Sequence, residues 1–164
     1  RLLEFIMDTA IQLSQAEEGL LLLTTEQGAF ETRIARNIQQ ENIEIIKFSR
    51  SIAEKVVSSG QSLYSPNALD DQRLKSLASV ASLELKTVSC FPLKIQNRTT
   101  GVIYLATRQR EGSLKREDLH VLESFADQAA TALQNAWLFE EKEHYRKKLE
   151  DDLDETKKIL EEKE

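Results

Sequence analysis

Apolar residues recur at helical spacing from the start of the chain. Leu3, Ile6, Met7, Ala10 and Leu13 fall on one face of residues 1–15 and predict an amphipathic helix. Residues 20–25 form a short apolar run between Gly19 and Gly28, too brief to prefer a helix, with threonines that favour strand. Residues 30–37 alternate, with Phe30, Thr32, Ile34 and Arg36 on one side. The intervening Glu26-Gln27-Gly28-Ala29 is a hairpin-sized loop, so the two segments read as antiparallel strands. Residues 49–59 predict a helix with Ile52, Val56 and Val57 apolar, closed by Gly60, because glycine relieves left-handed strain just past a helix end. A brief strand over 62–64 is stopped by Pro66, residues 67–75 are polar loop, and 76–85 are weakly helical.

The strongest strand pair is 87–95 with 99–107, joined by a tight turn at Gln96-Asn97-Arg98. Residues 102–106 are apolar at every position, which predicts a central strand buried on both faces. Residues 115–163 read as one long helix, since neither glycine nor proline occurs after Gly112. Its first half carries two apolar stripes. Leu119, Leu122, Ala126, Ala129, Leu133 and Ala136 form one; Val121, Phe125, Ala132 and Phe139 form the other. A helix lying on a sheet uses one such face, so the second stripe requires another partner.

Charge divides the chain. Residues 140–164 hold eleven acidic and seven basic residues, whereas the whole chain of 164 residues carries 28 and 22. The expected organisation is a nearly neutral globular part over 1–139 and a charged coiled-coil linker helix over 140–164. The net charge of −6 argues against a nucleic-acid surface, which would present a basic stripe. No apolar run approaches the roughly 20 residues of a membrane helix. The single cysteine, Cys90, fits a reducing, cytoplasmic setting. The helical pattern begins at Arg1, so the sequence is expected to be a segment of a larger protein.

One ordered series then stands out: Val88-Ser89-Cys90-Phe91-Pro92-Leu93, Gly101-Val102-Ile103-Tyr104-Leu105, Leu114-Lys115-Arg116-Glu117-Asp118-Leu119, Phe125-Ala126-Asp127-Gln128-Ala129-Ala130 and Ala132-Leu133-Gln134-Asn135-Ala136. With Ser51 to Val56 and Asn67 to Arg73 upstream, it resembles a GAF domain, a small-molecule sensing module of bacterial signalling proteins, over about residues 1–140. The resemblance implies an α+β sandwich: a six-stranded antiparallel sheet, the first and last helices on one face, and a long C-terminal signalling helix. A ligand would lie on the other face, under residues 48–85. Tyr64, Arg73, Ser89, Phe91 and Tyr104 are the candidate ligand-binding residues. The cyclic-nucleotide branch of the family has a signature near the last strand and helix. Thr107, Arg108, Leu114 and Glu117-Asp118 depart from it, so cyclic-nucleotide binding is not expected.

No catalytic constellation, cofactor motif or metal site is expected. His120 and His144 are 24 residues apart on one helix, not the three or four that place two ligands together. Cys90 has no histidine placed to activate it. Asp70-Asp71 are adjacent in a loop, which suits turn and capping roles.

The expected function is a regulatory sensory module that binds a small molecule or a partner domain. It signals through a dimeric helix to an effector, with an ATPase-type transcription activator placed first. Alternatives are a ligand-free structural dimerisation module, or the input domain of a histidine kinase or cyclic-dinucleotide enzyme. The tail supports a parallel homodimer: Phe139, Arg146, Leu149, Leu153, Thr156 and Leu160 share a seam, and from Leu149 the spacing runs four, three, four. The expected interface is Val121, Phe125, Ala132, Phe139, Leu149, Leu153 and Leu160, with help from the first helix.

Overall fold

The computed structural model describes residues 1–44, 46–109 and 114–163. Gly112, read above as the last break before the long helix, lies outside them. Five strands pair antiparallel in the order β2-β1-β5-β4-β3: β1 (Glu18–Thr24), β2 (Phe30–Asn37), β3 (Leu63–Ser65), β4 (Thr87–Ile95) and β5 (Arg98–Thr107). The helices are α1 (Leu2–Ser14), α2 (Arg50–Ser59), α3 (Ala78–Ser82) and α4 (Arg116–Glu162), with a 3-10 turn at Ala68–Asp70. The resemblance implied six strands; five are found among the described residues. Between β2 and α2 the chain contributes an isolated bridge, Arg36 with Asn42, in place of a further strand.

β5 lies between β1 and β4 and is buried from Gly101 to Thr107, as its unbroken apolar run predicts. Its two faces serve two layers. Val102, Tyr104 and Ala106 join Leu20, Leu22, Val88, Cys90 and Leu63 in a cluster with Ile52, Ala53 and Val56 of α2 and with Leu74, Val80 and Leu85. This is the side covered by residues 48–85. The opposite face takes α1. A Cβ on Gly19 would come within 2.6 Å of Met7 Sδ and 2.9 Å of Leu105 Cδ2. Gly19, read from the sequence as a boundary, is therefore inside β1, where the absence of a side chain lets α1 settle on the sheet. A bidentate ion pair between Arg36 of β2 and Asp8 of α1, at 2.7 Å, ties helix to sheet edge.

Local chemistry explains the boundaries. Ser49 Oγ accepts the Ile52 N–H at 3.3 Å and caps α2, and Gly60 closes it in the left-handed conformation at φ 68°, its N–H donating to the Val56 carbonyl. The β4–β5 hairpin turns through Gln96 and Asn97, both with positive φ.

The chain forms two compact units, Arg1–Ala130 and Thr131–Glu164. In the first, Leu122, Ala126 and Ala129 of α4 are buried, as the first apolar stripe predicts. In the second, α4 continues as helix to Glu162 with Ala136, Leu138, Phe139, Tyr145, Leu149, Leu153, Ile159 and Leu160 exposed.

Candidate functional site

The five residues proposed to line a ligand pocket do not converge. Tyr104 faces the 48–85 cover and is wholly buried. Its cross-strand partner is Cys90, so Ser89 and Phe91 of β4 point to the other face. Tyr64 lies opposite Ser89 and shares that other face; its hydroxyl accepts the Leu114 N–H at 3.1 Å, just before α4. Phe91 lines a cavity with Ala126 of α4.

The reason is a bulge. The hairpin starts with Ile95 opposite Arg98, a register that would set Ser89 opposite Tyr104. Between Leu93 and Lys94 the register slips by one, and from there inward Ser89 meets Leu105 and Phe91 meets Ile103. A one-residue slip exchanges the faces of every side chain beyond it. Thr100 is the extra residue: its backbone carbonyl accepts from Thr24 Oγ1 at 3.0 Å, which stabilises the bulged strand against β1.

The cover-side interior is a packed apolar cluster with a short polar chain in it. Tyr104 Oη accepts the Ser49 N–H at 3.1 Å, and Ser49 Oγ lies 2.7 Å from Ser79 Oγ. The ring of Phe48 meets those of Tyr104 and Phe30 edge-on, each at 6.0 Å. Burial pushes the Tyr104 phenol and the Cys90 thiol far up from their ordinary values, so both stay protonated and neutral. Cys90 in that state is a packing residue, because the thiolate is the reactive form.

Arg73 sits at the sheet edge. Its guanidinium takes Asp71 in a two-pronged bond, at 3.0 and 2.7 Å, and donates to the Tyr64 carbonyl of edge strand β3 at 2.7 Å. Asp70 instead accepts from Asn67 Nδ2 at 2.9 Å, so the adjacent carboxylates serve separate local turns. Arg73 holds the Asp71 carboxyl well below the usual carboxylate range. A carboxyl lowered in this way adds stability above its unfolded pKa of about 4 and loses it as pH falls below that value. The thermal midpoint is therefore expected to drop more steeply between about pH 5 and pH 3 than it does in Asp71→Asn. Parallel curves for the two proteins would refute the clamp.

Arg108, at the departed cyclic-nucleotide signature, is occupied internally. Its N–H and that of Gln109 donate to Glu17 Oε1, and its guanidinium reaches Glu18 at 3.0 Å and the Lys47 carbonyl at 3.1 Å. Burial raises the Glu18 carboxyl despite the opposing pull of Arg108. Among the described residues no group of three or more His, Cys, Asp and Glu could hold a metal ion, and no helix is long and apolar enough to cross a membrane.

The remaining feature is the apolar seam of α4. In the first unit, Val121 is exposed and Phe125 half-buried. In the second, Ala132 is half-buried, and Phe139, Leu149, Leu153 and Leu160 are 52 to 64 % exposed. Sequence reading treated 121–139 and the tail as two stripes. Positions 121, 125, 128, 132, 135, 139, 142, 146, 149, 153, 156 and 160 follow one unbroken alternation of four and three. The polar members are Gln128, Asn135, Lys142, Arg146 and Thr156. Arg146 is held by Glu143 at 3.1 Å and Glu150 at 2.7 Å, one turn away on either side.

Residues 1–134 match the GAF domain family. No curated protein matches the chain. Solved structures that share its fold include three GAF domain proteins. The GAF domain of a two-component sensor histidine kinase from Bacillus halodurans is 19 % identical, with a TM-score of 0.60 over 84 % of this chain and 95 % of that one. The blue-light absorbing form of the Thermosynechococcus elongatus PixJ GAF domain is 10 % identical, with a TM-score of 0.63 over 85 % and 89 %. A GAF domain/HD domain protein from Geobacter sulfurreducens is 10 % identical, with a TM-score of 0.62 over 84 % and 93 %.

Proposed function

We propose that this chain, which belongs to the GAF domain family, is a non-catalytic regulatory module that works as a parallel homodimer and relays its signal along α4 to an effector. The observation that carries this reading is the seam just described. Phe139, Leu149, Leu153 and Leu160 stand more than half exposed on a helix that continues to Glu162. Helices of this kind owe their stability to burial of an apolar face, and a second copy offers that face in matching register. Leu2 and Phe5 of α1 are 57 and 68 % exposed and add to the apolar surface available for pairing. A parallel arrangement brings both C-termini together, as two copies of one effector require.

The effector is read from a relative. The Bacillus halodurans domain belongs to a sensor histidine kinase, which favours a kinase over the ATPase-type activator suggested by the upstream Asp-Asp-Gln-Arg stretch. A second reading, a dimerisation module whose interior takes no ligand, draws support from the packed cover side: Tyr104, Ile52, Leu74 and Leu85 are all at most 1 % exposed. In either role the setting is cytoplasmic, without direct contact to nucleic acid or membrane.

Sedimentation at tens of micromolar is expected to give twice the 18.7 kDa chain mass; a species of only that mass overturns the dimer. Thr156→Cys places a thiol on the seam, while Cys90 stays buried. Under mild oxidation it is expected to cross-link two chains if they run parallel. A dimer that fails to cross-link would be antiparallel.

A further inference from the structure

Two residues of the unit Arg1–Ala130, Tyr64 of edge strand β3 and Lys86 just ahead of β4, are each bonded at two ends. The backbone end of each receives the cover. The Tyr64 carbonyl accepts from the Arg73 guanidinium at 2.7 Å, and the Lys86 carbonyl accepts the Ala68 N–H, also at 2.7 Å. The side-chain end of each reaches the connection from β5 to α4. The Tyr64 hydroxyl accepts the Leu114 N–H at 3.1 Å, and the Lys86 ammonium donates to the Gln109 carbonyl at 3.3 Å. Strand geometry allows Tyr64 both roles: a strand carbonyl lies in the plane of the sheet, here at its edge, while the side chain stands out of that plane. The Lys115 carbonyl accepts the Leu119 N–H, so Leu114 immediately precedes the helix.

On the cover, both donors are tied to the buried core. Ala68 belongs to the apolar cluster around Tyr104, and so does Leu74, the residue after Arg73. Both are fully buried. The two-pronged bond to Asp71 fixes the Arg73 guanidinium from its other side. Protein interiors are close-packed, so a change in how this cluster packs displaces its members and is not absorbed by empty space. Displacing Ala68 or Leu74 moves the donors that hold the Tyr64 and Lys86 carbonyls.

We propose that Tyr64 and Lys86 couple the packing of the cover-side core to the start of α4. The proposal rests on the relay along α4 described above and supplies its first step. Repacking of the cluster shifts Arg73 and Ala68. These carry the backbone of Tyr64 and Lys86 with them, and the two side chains change their hold on Leu114 and Gln109. Tyr64 and Lys86 act here as positioning residues.

Contact alone does not establish coupling, so the test is a set of double-mutant cycles. Amide hydrogen exchange at Leu114 is read by NMR on the 164-residue chain. Ile103, at the centre of β5, reports global opening and is expected to stay far slower than Leu114 in every variant. Tyr64→Phe removes only the hydroxyl and is expected to speed exchange at Leu114 by about fivefold or more. Arg73→Ala leaves that hydroxyl in place and is expected to speed it as well. Added to Tyr64→Phe, it is expected to contribute less than about twofold, because the link it acts through is already cut. Leu74→Ala loosens the cluster itself. It is expected to speed Leu114 in the otherwise unaltered chain but not in Tyr64→Phe/Lys86→Met. Unchanged exchange at Leu114 in either Arg73→Ala or Leu74→Ala overturns the coupling. So does equal acceleration whether or not the hydroxyl and the ammonium are present. Sedimentation of the same samples keeps the two proposals separate: coupling in a monomer refutes only the dimer, and a dimer without coupling refutes only this first step.

Discussion

Replacing Phe139 and Leu153 together by glutamate is expected to turn the proposed dimer into a monomer at every concentration accessible to sedimentation. The two residues are 64 and 56 % exposed in the single chain, and both sit on the seam, two heptads apart. In a parallel dimer each forms a layer with its counterpart, so the two substitutions remove four buried apolar side chains. At about 1.5 kcal/mol per side chain, the lower end for burying Leu or Phe, the loss is about 6 kcal/mol. At about 1.4 kcal/mol for each tenfold step, affinity falls by roughly four orders of magnitude. Facing glutamates add like-charge repulsion in a tail that already has eleven acidic residues. The compact unit Arg1–Ala130 contains neither position, so its thermal unfolding is expected to persist. Phe125→Glu probes the seam inside that unit and is expected to weaken the dimer as well. A chain that remains dimeric with both tail glutamates in place would locate the interface elsewhere.

The largest effect on the fold itself is expected from Gly101→Ala. A Cβ at this position would stand 2.3 Å from the Leu22 carbonyl oxygen, a backbone atom of the neighbouring strand. No rotamer change relieves that clash; β1 and β5 would have to separate at the centre of the sheet. Overpacking of this kind costs about 3 kcal/mol or more, which corresponds to a fall of roughly 10 °C in the thermal midpoint for a chain of this size. Gly28→Ala is the matched control. Gly28 has φ +79° and nothing within 4 Å of the added Cβ, so only the left-handed backbone strain of about 1 kcal/mol remains. A loss at Gly101→Ala no larger than at Gly28→Ala would mean that the two strands yield readily and that their close approach does not make Gly101 necessary.

Most elements were legible because each is dictated locally. The apolar run at 102–106 has no polar position to spare for solvent, so it reads as a central strand, and β5 is one. The Ser49 cap and the glycine at position 60 bracket α2 by chemistry visible in the sequence. Arg73 was read from the sequence as a candidate ligand-binding residue in a polar loop; its bonds to Asp71 and, nine positions back in the chain, to the Tyr64 carbonyl at the edge of β3 came only from the structure. The cavity between Phe91 and Ala126 went unseen, because its walls come from segments about thirty-five residues apart and only packing brings them together.

What the sequence by itself determined is therefore the set of elements, the doubly buried strand, the family likeness and the heptad spacing of the long helix. All of these follow from periodicity and from residues a few positions apart. What only the tertiary structure decided is which side chains share a face. Ser89 and Phe91 were grouped with Tyr104 as strand residues facing the cover, and one slipped residue between Leu93 and Lys94 sets them on the opposite layer. That bulge is held by Thr24 reaching the Thr100 carbonyl from a strand 76 residues away in sequence. Strand alternation has a period of two, so a single extra residue inverts it, and no local pattern records where that residue is inserted.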